Sequence, residues 1–206
     1  MSGKGSRPRR VNYKKYSGNY DLIFNEGVKE YSSTDRTESL RRLAPNLFDY
    51  DTVLYIGAKS DRFHYGDEFR EAGYDITVLE AFQRNVNNLR EYSWLKEVVH
   101  GDVRDLSYFL DKGQKFDVVF WWHGPEHVLE GELDKVVPQL EKVANRLVVM
   151  GCPWGRYDQG VIDGNPYERH VWAYSHDFFE KHGYSVECLG EPHVIGSNIT
   201  SVKEII

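Results

Sequence analysis

Beyond Asp51 the chain alternates short runs of β-branched residues with helix-length amphipathic stretches, and no other feature narrows its possible folds as far. A strand, a helix and a further strand in succession form a βαβ unit, whose strands run parallel because the helix returns the chain to the starting edge. Thr52–Ile56 reads as a first strand stopped by Gly57, residues 75–79 as a second ending at Glu80, and Glu97–His100 as a short third. Phe116–Trp122 and residues 146–150 supply a fourth and a fifth, and residues 184–189 and 199–205 the last two. Between them, residues 61–72, 81–92, 106–112, 129–144 and 175–182 carry helical patterning. Leu129, Leu133, Val136, Val137, Leu140 and Val143 form the most periodic set, and Pro138 is expected to kink their helix. The expectation is a three-layer α/β sandwich. Its sheet is seven-stranded and mostly parallel, with an antiparallel closing strand and helices on both faces.

A chain of 206 residues has room for one full hydrophobic core, so residues 21–206 are read as a single domain. Within it, residues 21–50 are expected to form a lid, with one helix over 26–43 lying across the carboxyl edge of the sheet. Residues 1–20 are read as a flexible basic arm, because Lys4, Arg7, Arg9, Arg10, Lys14 and Lys15 precede the first acidic residue, Asp21. The net charge of −6 argues against nucleic acid as a partner. No apolar segment follows the basic residues, and no run of about 18 apolar residues exists to cross a bilayer, so a cytoplasmic protein is expected. Cys152 and Cys188 form no CxxC pair and are expected to be reduced.

Open α/β sheets bind ligands beyond the carboxyl ends of their strands. The sequence places Gly57-Ala58-Lys59 after strand one, Glu80-Ala81-Phe82 after strand two and Gly101-Asp102-Val103 after strand three. His123 and Glu126-His127 follow strand four, and strand five leads into a loop of about twenty residues, long enough to suggest function, that contains Glu168 and His170. A carboxylate at the tip of strand two, Glu80, can accept both hydroxyls of a ribose. Asp102 can accept from an exocyclic amine. As junction residues, both acids can equally serve as helix caps.

In this order the pieces resemble the class I S-adenosylmethionine (SAM)-dependent methyltransferase family, of Rossmann-like fold. Val53-Leu54-Tyr55-Ile56-Gly57 is similar to its nucleotide-loop motif, Glu80 to the acid about twenty positions on, and Gly101-Asp102-Val103 to its adenine-side motif. Phe116-Asp117-Val118-Val119-Phe120 followed by Glu126-His127-Val128 is similar to its fourth-strand motif, and Asn165-Pro166-Tyr167-Glu168-x-His170 to a stretch of some small-molecule members. The resemblance implies SAM as cofactor, held by Gly57, Ala58, Lys59, Glu80, Ala81, Phe82, Asp102, Val103 and Trp122. It implies methyl transfer to an oxygen or nitrogen of a small molecule, a sugar or metabolite.

A general base for that step is sought among His123, His127 and His170, since imidazole titrates near neutrality. Trp121, Trp122, Trp154 and Tyr157 offer aromatic walls, or in the case of the two strand tryptophans simply core.

The first loop departs from the family pattern. Only Gly57 of three glycines remains, Lys59 and Asp61 stand at the other two positions, and Tyr55 replaces the usual acid. Either Lys59 anchors the cofactor's carboxylate on a remodelled loop, or the site is degenerate and the chain is a binding or scaffold module. A nicotinamide-dependent enzyme would need the same missing glycines. A metal enzyme built on His123, Glu126, His127 and His170 ranks last, because Gly124-Pro125 breaks the helix that an i, i+4 histidine pair requires; no metal is expected.

Overall fold

The computed structural model describes residues 33–59 and 63–206. The basic arm, the first part of the helix expected over 26–43, and Asp61 lie outside the described residues. Seven strands, β1 (Thr52–Ile56), β2 (Asp75–Glu80), β3 (Glu97–His100), β4 (Phe116–Trp122), β5 (Ala144–Pro153), β6 (Ser185–Leu189) and β7 (Asn198–Glu204), form one sheet in the order β3-β2-β1-β4-β5-β7-β6. β7 runs antiparallel to both its neighbours, so the other six strands share one direction. This is the expected mixed sheet.

Because helices cover both faces, the central strands are apolar at every position rather than at alternate ones, as β4 shows with Phe116-x-Val118-Val119-Phe120-Trp121-Trp122. Alternation then sorts side chains between two cores. Leu54, Ile56, Val119, Trp121, Val148 and Met150 meet α4 (Ser107–Leu110), α5 (Glu130–Val143) and α6 (His176–Lys181) on one face. Val53, Tyr55, Val118, Phe120, Trp122 and Val149 meet α1 (Ser33–Leu43), α2 (Gly66–Glu71) and α3 (Gln83–Leu89) on the other.

Three local features fix this arrangement. Asp117 Oδ2 accepts from Thr52 N, Thr52 Oγ1 and Asp51 N at 2.8–3.3 Å, which clips the amino ends of β1 and β4 together. Glu132 Oε2 accepts the Leu129 N–H at 3.1 Å and so caps α5, which runs through Pro138 to Val143. Helix α1 packs against β6 and β7, with Leu40 buried and Arg42 donating to Glu187 on β6. These described residues cover a sheet face, and Arg36 reaches the carboxyl edge, while residues 21–32 of the expected lid lie outside the described residues.

The strand ends differ from expectation chiefly at β5, which extends to Pro153 because seven successive residues pair with β7. Cys152 and Cys188 are both free and pair with the same residue, Ile199, from opposite sides. Two strand spacings, about 9.5 Å, separate them, beyond disulfide reach. Among the described residues no helix is long and apolar enough to cross a membrane.

Candidate active site

All parallel strands end on one edge, and the reversed strand β7 begins there, so the turns leaving β1 to β5 and the segment entering β7 surround a common space. It is a cavity of about 550 Å³. Gly57 and Lys59 line it from the first turn, Glu80 and Ala81 from the second, Asp102 and Val103 from the third, and Trp122 and His123 from the fourth. The loop between β5 and α6 forms the remaining wall through Tyr157, Gln159, Asn165, Glu168 and His170.

The first turn needs its glycine. Gly57 has φ +75° and donates its N–H to Leu79 O at 2.9 Å, a left-handed conformation that a side chain would strain. Lys59 pairs with Asp163 at 3.0 Å, and Arg84 donates to the Asp163 carbonyl at 2.7 Å, so the β5–α6 loop is fastened to the first two turns.

At the tip of β2, Glu80 is 5% exposed. Its Oε1 accepts from Phe82 N at 2.8 Å and Asn85 Nδ2 at 3.3 Å, while no hydrogen bond among the described residues engages Oε2. Burial pushes this carboxyl up to about 7, against the lowering by Phe82 and Asn85. A carboxylate oxygen at a cavity wall, with no hydrogen bond among the described residues, suits a ligand that brings hydroxyl donors. Asp102 is more committed, since Arg104 holds both its oxygens at 2.8 and 2.9 Å and also pairs with Glu132.

The turn after β4 carries strain and charge. His123 has φ +51°, uncommon outside glycine, and Gly124 is required next because a Cβ there would fall within 1.7 Å of the Trp121 indole nitrogen. The 3-10 turn Pro125–His127 then buries Glu126, 3% exposed, at the cavity wall. Neither Glu126 carboxylate oxygen has a hydrogen-bond partner among the described residues, although His123 Nδ1 approaches Oε1 to 3.4 Å and His170 Nε2 to 3.9 Å. Burial alone would raise this carboxyl; His123, helped by His127 and His170, brings it below its ordinary value. Burial lowers the His170 imidazole, more than Glu126 and the Tyr157 carbonyl raise it.

No protein-family model matches the chain, and no curated protein matches it by sequence. Solved structures match its fold. Magnesium protoporphyrin IX methyltransferase from Synechocystis PCC 6803 with bound SAM superposes with a TM-score of 0.54 at 11% identity, over 93% of this chain and 91% of that one. The N-methyltransferase NodS from Bradyrhizobium japonicum WM9 gives 0.56 at 11% identity, over 84% and 95%. A SAM-dependent methyltransferase from Clostridium acetobutylicum ATCC 824 gives 0.56 at 14% identity, over 94% and 98%. The chain has the class I SAM-dependent methyltransferase fold.

On this methyltransferase fold, ten of the twelve residues expected at the site line the cavity: Gly57, Lys59, Glu80, Ala81, Asp102, Val103, Trp122, His123, His127 and His170. Two do not. Ala58 is fully buried and turns into the core beneath α1 and α2, and Phe82 lies outside the lining, with the Arg84 guanidinium over its ring at 5.5 Å. Trp121 and Trp122 are both buried core residues that also present atoms to the cavity. The methyltransferase fold adds residues that sequence reasoning did not single out: Arg36, Arg104 and Ser197. Arg104 is signalled by its place two residues after Asp102. Arg36 and Ser197 carry no local signal, because each reaches the cavity only through the packing of α1 and the reversal of β7.

Proposed function

We propose that this chain transfers a methyl group from SAM to an oxygen or nitrogen of a small molecule, with sugars and other polar metabolites as the acceptor class. The observation that carries this reading is the convergence of Gly57, Glu80 and Asp102, at the ends of three adjacent parallel strands, on one cavity of a methyltransferase fold. Bound SAM would supply an electrophilic methyl group on a sulfonium. The Gly57 turn lets the backbone approach the ligand, Glu80 accepts the ribose hydroxyls on its uncommitted Oε2, and Asp102 accepts from the adenine amine on lone pairs that Arg104 leaves free. Ala81, Val103 and Trp122 give the apolar walls of the base and sulfonium pockets. Lys59 is the cation for the cofactor's carboxylate, in exchange with Asp163.

His123 is our candidate base. With its Nδ1 toward Glu126, its Nε2 is the lone pair available to the acceptor's proton, and positioning of the acceptor by the same wall supplies the rest of the rate.

One observation favours a second reading, a binding module without turnover: the first loop retains only Gly57, and Lys59 already has Asp163 as partner. Calorimetric titration with SAM and S-adenosylhomocysteine separates the two. Micromolar binding, weakened at least about tenfold by Glu80→Ala and by Asp102→Ala, is the expected result. Absence of binding to both ligands would overturn the methyltransferase reading.

A further inference from the structure

The fold brings together side chains that the sequence separates. Glu126, His127 and His170 each offer a ligand atom, and these three atoms lie within 4.8 Å of one another at the cavity wall. Their orientation is set from behind. His127 Nδ1 stands 3.0 Å from Arg169 O, and His170 Nδ1 stands 2.6 Å from Tyr157 O. A backbone carbonyl can only accept, so each Nδ1 carries a proton and donates it, and in the neutral imidazole Nε2 is then the lone pair open to a metal. The Glu126 carboxylate, buried and without a hydrogen-bond donor among the described residues, faces the same space. Two imidazoles and a buried carboxylate therefore meet within 4.8 Å at one wall, an arrangement that a bound cation would satisfy.

We propose that Glu126, His127 and His170 bind a divalent first-row metal ion of the zinc class, with its open positions facing the cavity. Two imidazoles and one carboxylate are the donor set of catalytic zinc and of other borderline cations, and histidines held by backbone carbonyls are the usual outer shell of such sites. A tetrahedral ion about 2.0–2.1 Å from each ligand requires ligand atoms about 3.3 Å apart. His170 Nε2 and Glu126 Oε1 stand at 3.9 Å and all three ligand atoms lie within 4.8 Å, so a bound ion would draw them closer. The Gly124-Pro125 break is what makes it possible, because the 3-10 turn presents Glu126 and His127 together to the loop carrying His170. An open position at the metal would take an oxygen of the acceptor, a corollary that rests on the methyl-transfer reading.

The test is cobalt(II) titration of the full-length, chelator-treated protein, followed by visible d–d absorption. One cobalt per chain with an imidazole-type spectrum is expected, with affinity weakened about 100-fold or more in Glu126→Gln and in His127→Ala/His170→Ala. His176→Ala serves as control, since His176, Asp177 and Glu180 form the other such cluster among the described residues and lie outside the cavity. Thermal melts of the metal-free proteins establish that the variants fold, and Glu126→Gln keeps the shape while removing the buried charge. No cobalt spectrum at millimolar metal, or a spectrum abolished by His176→Ala and retained in the cavity variants, overturns the site. SAM calorimetry on the metal-free protein reads the methyl-transfer proposal separately, so either can fail alone.

Discussion

Glu80 shows how a single carboxyl links stability to ligand binding. Burial raises it from 4.5 to about 7, so the unliganded fold holds a proton there that the unfolded chain has lost. Its stabilising share is complete below about pH 4.5 and declines as pH rises through 7, by about 3 kcal/mol at most. Glu80→Gln should flatten the stability profile between those limits, as measured by urea unfolding at stepped pH. Ribose hydroxyls donate only to acceptors, so SAM affinity should fall as pH drops below about 7 in the native protein, and a pH-independent affinity would remove Glu80 from the proposed ribose site. At Gly57, with φ +75°, Ala substitution should cost about 1–2 kcal/mol in the same unfolding measurement, by strain rather than by collision, since the nearest atom to a new Cβ is 3.9 Å away.

Among the elements, the β5–α6 loop departs most from ordinary expectation, being long yet tied down at Asp163, at Glu126 O by the N–H groups of Val171 and Trp172, and at Tyr174 O by Gly155 N. Asp163→Asn should leave the melting temperature nearly unchanged, because a partly exposed ion pair contributes under about 1 kcal/mol. It should nonetheless speed amide exchange in residues 155–173, read by mass spectrometry. The strands were legible in the sequence because an apolar, β-branched run bounded by glycine or an acid has few other readings, and Thr52–Ile56, Glu97–His100 and Phe116–Trp122 coincide with expectation. Glu80 and Asp102 were legible because strand tips are fixed once strands are. The grouping of His127 with His170 ranks last on sequence, where a helix is taken to be needed, whereas a non-helical turn and the path of a loop forty residues later bring them together, neither of which has a local period. Nor did the sequence show that Ala58 points into the core, because one residue of twist in a turn decides between cavity and interior.

For the whole molecule, a single sheet shared by two cores implies one unfolding unit. Leu140→Ala, on the buried side of α5, should cost about 2–5 kcal/mol and Phe69→Ala, on the buried side of α2 at the opposite face, about 3–5 kcal/mol. If residues 33–206 are one domain, each variant shifts a single transition and the double variant sums the two; separate transitions in calorimetry would divide the chain. The tether through Asp163 has a kinetic meaning as well. One of the cavity wall's ties to the strand tips, the Lys59–Asp163 pair, is a charge contact weakened by dissolved salt, whereas the strand tips themselves are joined by buried backbone pairing that salt hardly touches. The residence time of anything bound behind that wall should therefore shorten modestly as ionic strength rises, by the share of the closure that this one ion pair supplies.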